Sequence, residues 1–292
     1  MNWHDELLNQ LAAEPICGYR AGGAVATEPT ALAALALAAH DRADAAHVAT
    51  EWLARNQIEQ GSVGVREREM VPHWPTGLAV LAWSALPASG YADNIRRASD
   101  WILSYDGKIM LRDPEMGHDT TLAAWPWVEG THSWIEPTAI NTLALKAAGL
   151  NKHGRARNAV RMLIDRQLPG GGCNYGNTFV LGQELRPHVQ PTGLALLALA
   201  GETDTNGRLP KSVAYLERSV ASGTTPASLC YALIGLAAHD RFPATAEEPL
   251  QAAYATVLKR DRSPYKLALI ALARLGISPP ALLRSLGQPL PA

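Results

Sequence analysis

Six segments of this chain are apolar on almost every side, and a turn that contains proline precedes each of them. Four read Pro-Thr followed by a run of Ala and Leu, as in PTALAALALAAH, and two weaker copies lack the threonine. A helix that is apolar all round must be buried all round, so the pattern predicts six inner helices with proline at the first helical position. The six phrases begin at Pro29, Pro75, Pro137, Pro191, Pro226 and Pro264.

Amphipathic segments alternate with these apolar ones. In the segment 44–57, Ala46, Ala49 and Leu53 share one face with charged residues opposite, which is typical of a helix that covers a core. No segment alternates polar and apolar residues with period two, so almost no sheet is expected. The other amphipathic segments are 93–105, 153–167, 212–221 and 250–259.

Two alternating kinds of helix predict an all-α fold. The inner helices are equally apolar, whereas an open solenoid needs polar caps at its ends. We therefore expect one domain, residues 1–292, folded as a closed α/α toroid, an (α/α)6 barrel of six inner and about six outer helices.

The connections from outer to inner helices are unequal in length. They are long in the first half, at about 58–73, 106–135 and 168–189, and short in the second, at about 222–225 and 260–263. Loops of such length are uncommon in compact domains and often carry function. All should emerge at the end of the toroid where the inner helices begin.

Composition narrows the class of protein. The 292 residues are 47% hydrophobic with a formal net charge of -1, so nothing indicates nucleic acid as a partner. The first residues are acidic and unlike a signal peptide, and no apolar run is long enough for a transmembrane segment. The three cysteines are an odd number in a chain with no secretion signal, which predicts a cytoplasmic protein with no disulfide framework.

The second long loop holds the best candidate for acid chemistry. Asp119 lies among tryptophans, where desolvation would raise the pKa of its carboxyl, and His118 could return its proton. The alternative is that Asp119 only caps a helix beginning at Thr120. Glu136 and Glu28 precede prolines of the repeat, where they are either functional acids or charges suited to a helix N-terminus.

Aromatic side chains cluster in the same loops and suggest a ligand site at the mouth of the toroid. Their ring faces could stabilise a carbocation, or they could be plugs that fill the mouth. The predicted substrate-binding residues are Trp74, Trp125, Trp127, Trp134, Tyr175, Tyr231 and His188.

Metal binding is the weaker prediction. The loop histidines, including His73 and His132, could meet Cys173 and Asp119 at one mouth, as zinc requires. However, no two of these residues show the close spacing of a zinc motif, so no cofactor is predicted and zinc remains the alternative.

The repeat grammar resembles that of a known superfamily. The phrases EPTAINTLALKAAG and QPTGLALLALAG resemble repeats of the terpenoid cyclase and protein prenyltransferase toroids. The segment from Gln167 to Gly176 adds to this resemblance, because it looks like a degenerate QW motif of that superfamily with Cys173 in place of Trp. The stretches GHDTTLAAWPWVEGTHSWIEPTA and YGNTFVLGQELRPHVQPTGLALLAL are similar to a bacterial squalene–hopene cyclase-like branch.

The resemblance implies a hydrophobic isoprenoid in the central cavity and a cyclisation that Asp119 starts by protonation. Asp119-Thr120-Thr121 matches only the tail of the family's DxDTT acid motif, because Gly117 stands where the first Asp would be. The prenyltransferase zinc set is also missing, since residue 171 is Gly.

Two alternatives remain open beside the cyclase. One is a non-catalytic toroid that binds a lipid or a partner protein. The other is a metal-dependent transferase that uses His118, Asp119, Cys173 and His188. We expect a cytoplasmic protein, or one peripheral to the membrane.

Overall fold

The computed structural model describes residues 2–69, 71–86 and 90–277. Within these residues the regular secondary structure is helical apart from one short antiparallel hairpin, so the all-α prediction is confirmed. The hairpin pairs β1 (Phe179–Val180) with β2 (Gln183–Glu184), and short 3-10 helices lie at Pro114–Met116 and Leu275–Ile277. The helices are α1 (Trp3–Ala13), α2 (Thr27–Ala39), α3 (Ala43–Arg55), α4 (Thr76–Ser84), α5 (Ala92–Ser104), α6 (Ile135–Ala147), α7 (Gly154–Asp165), α8 (Val189–Ala198), α9 (Arg208–Ala221), α10 (Pro226–Ala237), α11 (Glu247–Arg260) and α12 (Pro264–Arg274).

The even-numbered helices are the six apolar segments, and they contact one another in a closed cyclic order. Each touches the next from α2 to α12, and α12 touches α2. We call this set the ring. Odd-numbered helices cover it from outside: α3, for example, contacts both α2 and α4. The sequence pattern indicates five outer helices, and α1, which contacts α12 and α2, is the sixth.

Proline marks the first turn of the ring helices but not always the first residue. α10 and α12 begin at their prolines, as predicted. By contrast, α2, α6 and α8 begin two residues before theirs, so Glu28 and Glu136 lie inside the first helical turn rather than before it. The two helical residues before each proline place Glu28 and Glu136 at the end of the ring where its helices begin.

The threonine of the Pro-Thr phrase holds the preceding loop to the ring. Thr138 Oγ1 accepts a hydrogen bond from the Trp125 N–H at 3.2 Å and lies 3.3 Å from the Trp125 carbonyl oxygen. Thr30 holds Cys17, Thr76 holds Val63 and Thr192 holds Cys173 in the same way. The separation is 13 residues in three repeats and 19 in the fourth, where the hairpin is inserted. The repeated threonine is therefore a buried clamp.

The QW-like segments join successive outer helices. Gln57 Nε2 donates to the carbonyl oxygen of Asn94 on α5 at 2.9 Å, and Ser212 on α9 donates to Gln167 Oε1 at 2.7 Å. Gly171 follows with a φ of 98°, and a side chain there would meet the Lys211 carbonyl at 2.3 Å. Glycine is thus required where the turn passes against the next outer helix.

The long loops lie at the end of the ring where its helices begin, which we call the mouth. They run over residues 56–75, 105–134 and 166–188, close to the predicted ranges, and they contact each other. His118 Nδ1 lies 2.9 Å from Thr178 Oγ1, for example, which joins the second loop to the third. Among the described residues, no helix has both the length and the hydrophobicity needed to cross a bilayer.

Candidate functional site

The axis of the ring is nearly filled by its own side chains. Nine leucines and two isoleucines from all six ring helices surround an axial cavity of about 40 Å³, and Glu28 and Tyr231 are the polar residues that line it. A water molecule needs at least about 10–15 Å³ of such space, whereas small-molecule sites usually measure about 300–1,000 Å³. The cavity in this structure is therefore water-sized and smaller than an isoprenoid.

A group of hydrogen-bonded polar residues lies at the mouth of this axis. The Tyr19 hydroxyl donates to Glu28 Oε2, and Gln190 Nε2 donates to Glu136 Oε1 at 2.8 Å. The hydroxyl oxygens of Tyr231 and Tyr265 are 3.1 Å apart. We call these six residues the mouth cluster, and they come from α2, α6, α8, α10, α12 and the loop before α2: Glu28, Glu136, Gln190, Tyr231, Tyr265 and Tyr19.

Both carboxyl groups of the mouth cluster have pKa values that are raised to near neutral pH. Burial raises the pKa of Glu136 to about 7, and the side chain is only 6% exposed. Burial also raises the pKa of Glu28 to about 7, with a further contribution from the charge of Glu136 and a partial offset from the Tyr19 hydrogen bond. Perturbed carboxyl groups of this kind are typical of functional sites, and they can act as acid or base at neutral pH.

Asp119 does not have the environment that its predicted acid role assumes. Its carboxylate accepts hydrogen bonds from the N–H and hydroxyl of Thr121, which lower its pKa instead of raising it. The segment that follows is a turn and not a helix, so the predicted helix cap is wrong as well. His118 is 9% exposed, and burial together with the charge of Arg166 lowers its pKa to about 4. Of the three predicted catalytic residues, only Glu136 lies in the mouth cluster.

Some of the predicted aromatic residues lie in the mouth loops, and Tyr231 lies on a ring helix. Trp74 and Trp127 pack edge to face with ring centroids 4.7 Å apart, and Tyr175 lies 4.9 Å from the exposed His188 ring. Trp134 packs on Gly176 nearby. Tyr231 alone among the predicted set lines the axial cavity.

Trp125 does not reach the site. Its indole is fully buried, donates to the Ile102 carbonyl at 2.8 Å and lies under the guanidinium of Arg155, 5.1 Å from the ring centroid. These contacts join α5, α7 and the second loop. The predicted substrate-binding role is therefore replaced by a structural one.

The residues proposed for zinc do not converge. Cys173 is fully buried, its sulfur lies 3.8 Å from Thr192 Oγ1, and burial raises the pKa of its thiol to about 12. His188 pairs with Cys173 only through the backbone, and its ring is exposed beside Tyr175. No group of three or more His, Cys, Asp or Glu residues able to hold a metal occurs in the part of the chain that the structure describes.

Exposed apolar side chains concentrate on the mouth loops. Of the ten large hydrophobic residues exposed among those described, nine lie in the loops before α2, α4, α6 and α8, and the tenth is Val48 on α3. Leu111 is 92% exposed and Leu181, at the tip of the hairpin, is 97% exposed. The second loop also exposes the consecutive run Ile109, Met110 and Leu111. We call this surface the mouth rim.

Sequence reasoning missed part of the mouth cluster. The sequence leaves Glu28 open between a functional acid and a helix-terminus charge, and it does not predict Tyr19, Gln190 or Tyr265 as site residues. The available signal was the repeat itself, because Glu28, Glu136 and Gln190 occupy the same place before Pro in three phrases. Residues in equivalent places of a closed repeat meet around its axis, so a polar set there indicates a site.

The comparisons with known proteins place the fold and not the function. No family model matches the chain, and no curated protein matches it. A protein from Actinoplanes of known crystal structure is similar to it, with a TM-score of 0.56 and 17% identity over 90% of this chain and 82% of that chain. A mutant of Salmonella alpha-2-macroglobulin aligns with a TM-score of 0.48 and 14% identity over 92% of this chain and 17% of that chain. The likeness to the Actinoplanes protein supports the helical architecture.

Proposed function

We propose that this protein is a non-catalytic ring that binds a partner protein through its mouth rim. The observation that carries the proposal is the contrast between a filled axis and an apolar outer surface: the axial cavity measures about 40 Å³, while Leu111 and Leu181 are almost fully exposed. Exposed apolar residues that gather on one face typically mark an interaction site. A run of three exposed apolar residues in one loop has no structural use of its own.

The charge of the mouth loops favours a protein over a membrane. The segments 14–26, 56–75, 105–134 and 166–188 together carry ten acidic and seven basic side chains. An acidic surface is repelled by anionic lipid headgroups, which attract clusters of Lys and Arg instead. The expected partner has an apolar patch bordered by basic residues.

Site-specific photo-cross-linking in cells tests this proposal. A photoreactive amino acid placed at Leu111 or Leu181 should give one discrete cross-linked protein, and the same group at Val48 should not. Val48 is a matched control because it is an apolar residue, 46% exposed, on an outer helix. Excess wild-type protein should compete with the cross-link, and the Leu111→Ser variant should not.

Equal cross-linking at Val48 and at the mouth rim would refute specific binding. A vesicle assay separates the lipid alternative. Co-sedimentation with phosphatidylcholine or phosphatidylserine vesicles that Leu111→Ser abolishes would mean that the rim contacts lipid, and the proposal of a protein partner would be wrong.

A second candidate function is protonation-initiated isoprenoid chemistry, as the resemblance to terpenoid cyclases implies. The supporting observation is that the pKa values of Glu28 and Glu136 are both about 7, beside the aromatic mouth of an apolar axis. In this reading Glu136 would be the acid in place of Asp119, and the axial leucines would have to move apart to admit a substrate.

Product analysis decides between the two functions. Purified protein is incubated with linear isoprenoids from geraniol-sized to squalene-sized and the extracts are examined by gas chromatography and mass spectrometry. A cyclic product that is lost in a folded Glu136→Gln variant would establish the second function and refute the first. Absence of any product from the wild-type protein would refute the second.

A further inference from the structure

A separate polar pocket lies between the second and third mouth loops, away from the ring axis. It encloses about 80 Å³, and the polar residues that line it include Arg166, Lys108, His118, His132 and Asn177. This volume exceeds the roughly 30 Å³ that one water molecule occupies in the liquid, so a group of several atoms can enter. Two of the lining residues, Arg166 and Lys108, are basic.

Arg166 is the buried base of this pocket. The residue is 6% exposed, and its Nη1 donates to the Gly176 carbonyl at 2.5 Å. Its Nε is buried and has no hydrogen-bond partner in the described residues. A buried donor without a partner costs about 1–3 kcal/mol or more when it is charged, and such a group calls for an ion or solvent molecule that the protein alone does not supply.

The nearby carboxylates satisfy this guanidinium only in part. Asp165 Oδ2 forms an ion pair with Arg166 Nε at 3.6 Å, which is too long for a hydrogen bond, and it also accepts a hydrogen bond from the Asp119 N–H at 2.8 Å. The Asp119 carboxylate is held by Thr121. Both acids reduce the positive field, but neither completes the hydrogen bonding of the guanidinium.

His118 adds a group that responds to an anion. Thr178 Oγ1 donates to the Met116 carbonyl at 3.0 Å, so it accepts from His118 Nδ1 at 2.9 Å, and the neutral ring keeps the lone pair on Nε2. Burial and the charge of Arg166 lower the pKa of His118 to about 4. An anion beside both groups would offset the charge of Arg166 and raise that pKa.

We propose that this pocket binds a phosphate-sized oxyanion, with the Arg166 guanidinium as its buried contact and Lys108 at its open side. Arginine and lysine are the side chains that bind phosphate in proteins, through hydrogen bonds and charge. The ligand is either free phosphate or the phosphate group of a larger molecule. The site does not include the axial carboxyl groups, although it shares Met110 with the mouth rim.

Calorimetric titration with inorganic phosphate at constant ionic strength tests the site. We expect saturable binding of phosphate and of sulfate but not of chloride. Lys108→Gln should weaken phosphate binding about tenfold, the equivalent of about 1.4 kcal/mol. Lys259→Gln, which changes an exposed lysine on α11, should leave binding unchanged. Arg166→Gln should abolish binding if the variant folds, as judged by circular dichroism.

The His118 ring gives a second readout that does not need the Arg166 variant. Its pKa, followed by NMR, should rise when phosphate is added, and that rise should be smaller in Lys108→Gln. Glycerol 3-phosphate, titrated in parallel, separates the two sources: tighter binding than phosphate indicates a larger natural ligand, and equal or weaker binding indicates the free ion. No saturable heat and no change at His118 in millimolar phosphate would overturn the proposal, as would equal weakening in Lys108→Gln and Lys259→Gln.

Discussion

The threonine clamp makes a sharp prediction about stability. Thr138 and Thr142 are both fully buried on α6, one turn apart, and each hydroxyl makes a hydrogen bond to a backbone group. Only Thr138 supports a backbone group that has no other partner. Replacing it by valine leaves the Trp125 N–H buried and unpaired, whereas the Trp125 carbonyl still accepts from the Trp134 N–H at 3.0 Å.

The expected loss follows from that single orphaned donor. An unsatisfied buried N–H costs about 1–3 kcal/mol, so Thr138→Val should lower the free energy of unfolding by about that amount. The control is Thr142→Val, whose hydroxyl donates at 2.7 Å to the Thr138 carbonyl, an oxygen already bonded within the helix. That variant should lose less stability than Thr138→Val, because it leaves no backbone group unpaired.

Urea unfolding followed by circular dichroism measures both variants, with thermal unfolding as a check at roughly 2–4 °C per kcal/mol. A Thr138→Val variant no less stable than Thr142→Val would show that the clamp does not hold the loop. The reasoning that explains the repeated Pro-Thr phrase would then fail.

Three further predictions concern the ring. The Glu136 pKa of about 7 lies above the ordinary carboxyl value of 4.5, so this carboxyl ionises at lower pH in the unfolded chain and the free energy of unfolding falls as pH rises between these values. The Glu136→Gln variant should therefore gain up to about 3 kcal/mol of stability relative to wild type between about pH 5 and pH 8. Urea unfolding of both proteins across this pH range measures the difference, and a difference that does not change with pH would contradict the prediction. Leu143→Ala should lower the unfolding free energy by about 2–5 kcal/mol by enlarging the axial cavity, and a loss below about 1 kcal/mol would mean that the axis is loosely packed. A side chain at Gly193 would lie 2.2 Å from the Tyr231 carbonyl, so Gly193→Ala should lower the melting temperature, while Gly154→Ala, which faces open space on α7, should leave it unchanged or raise it.

The fold could be predicted because helix burial leaves a direct record in the sequence. A segment such as α4, buried at every residue from Thr76 to Trp83, has to be apolar on all sides, and this is visible without a structure. The residues at which the helices begin are harder to predict from the sequence. The extra residues before Pro29 and Pro137 are held by the next mouth loop along the chain. The Thr27 N–H donates to the Val65 carbonyl at 3.0 Å and the Ile135 N–H to the Tyr175 carbonyl at 2.8 Å, and these contacts are distant in sequence.

The candidate site was only partly predictable for the same physical reason. The chemical character of Glu136 comes from burial, which depends on its place at the ring mouth. Asp119 looked equally well suited in the sequence, but Thr121, two residues away, gives it hydrogen bonds that favour the ionised form. The orphaned Nε of Arg166 has no sequence signature, because it results from which neighbours fail to reach it.

The contact between α12 and α2 has a consequence for how the chain folds. In a linear array each unit can form on its neighbour, and shortening the array removes one interface at its end. Here every ring helix has a neighbour on both sides, and the last interface joins helices more than two hundred residues apart in sequence. Forming that interface costs conformational entropy because it closes a long loop, and it completes the burial of both helices at once. The ring should therefore unfold as one cooperative unit. A circular permutant that joins the natural ends and opens the chain at the 222–225 connection would bring α12 and α2 close together in sequence. It should fold faster than the natural chain.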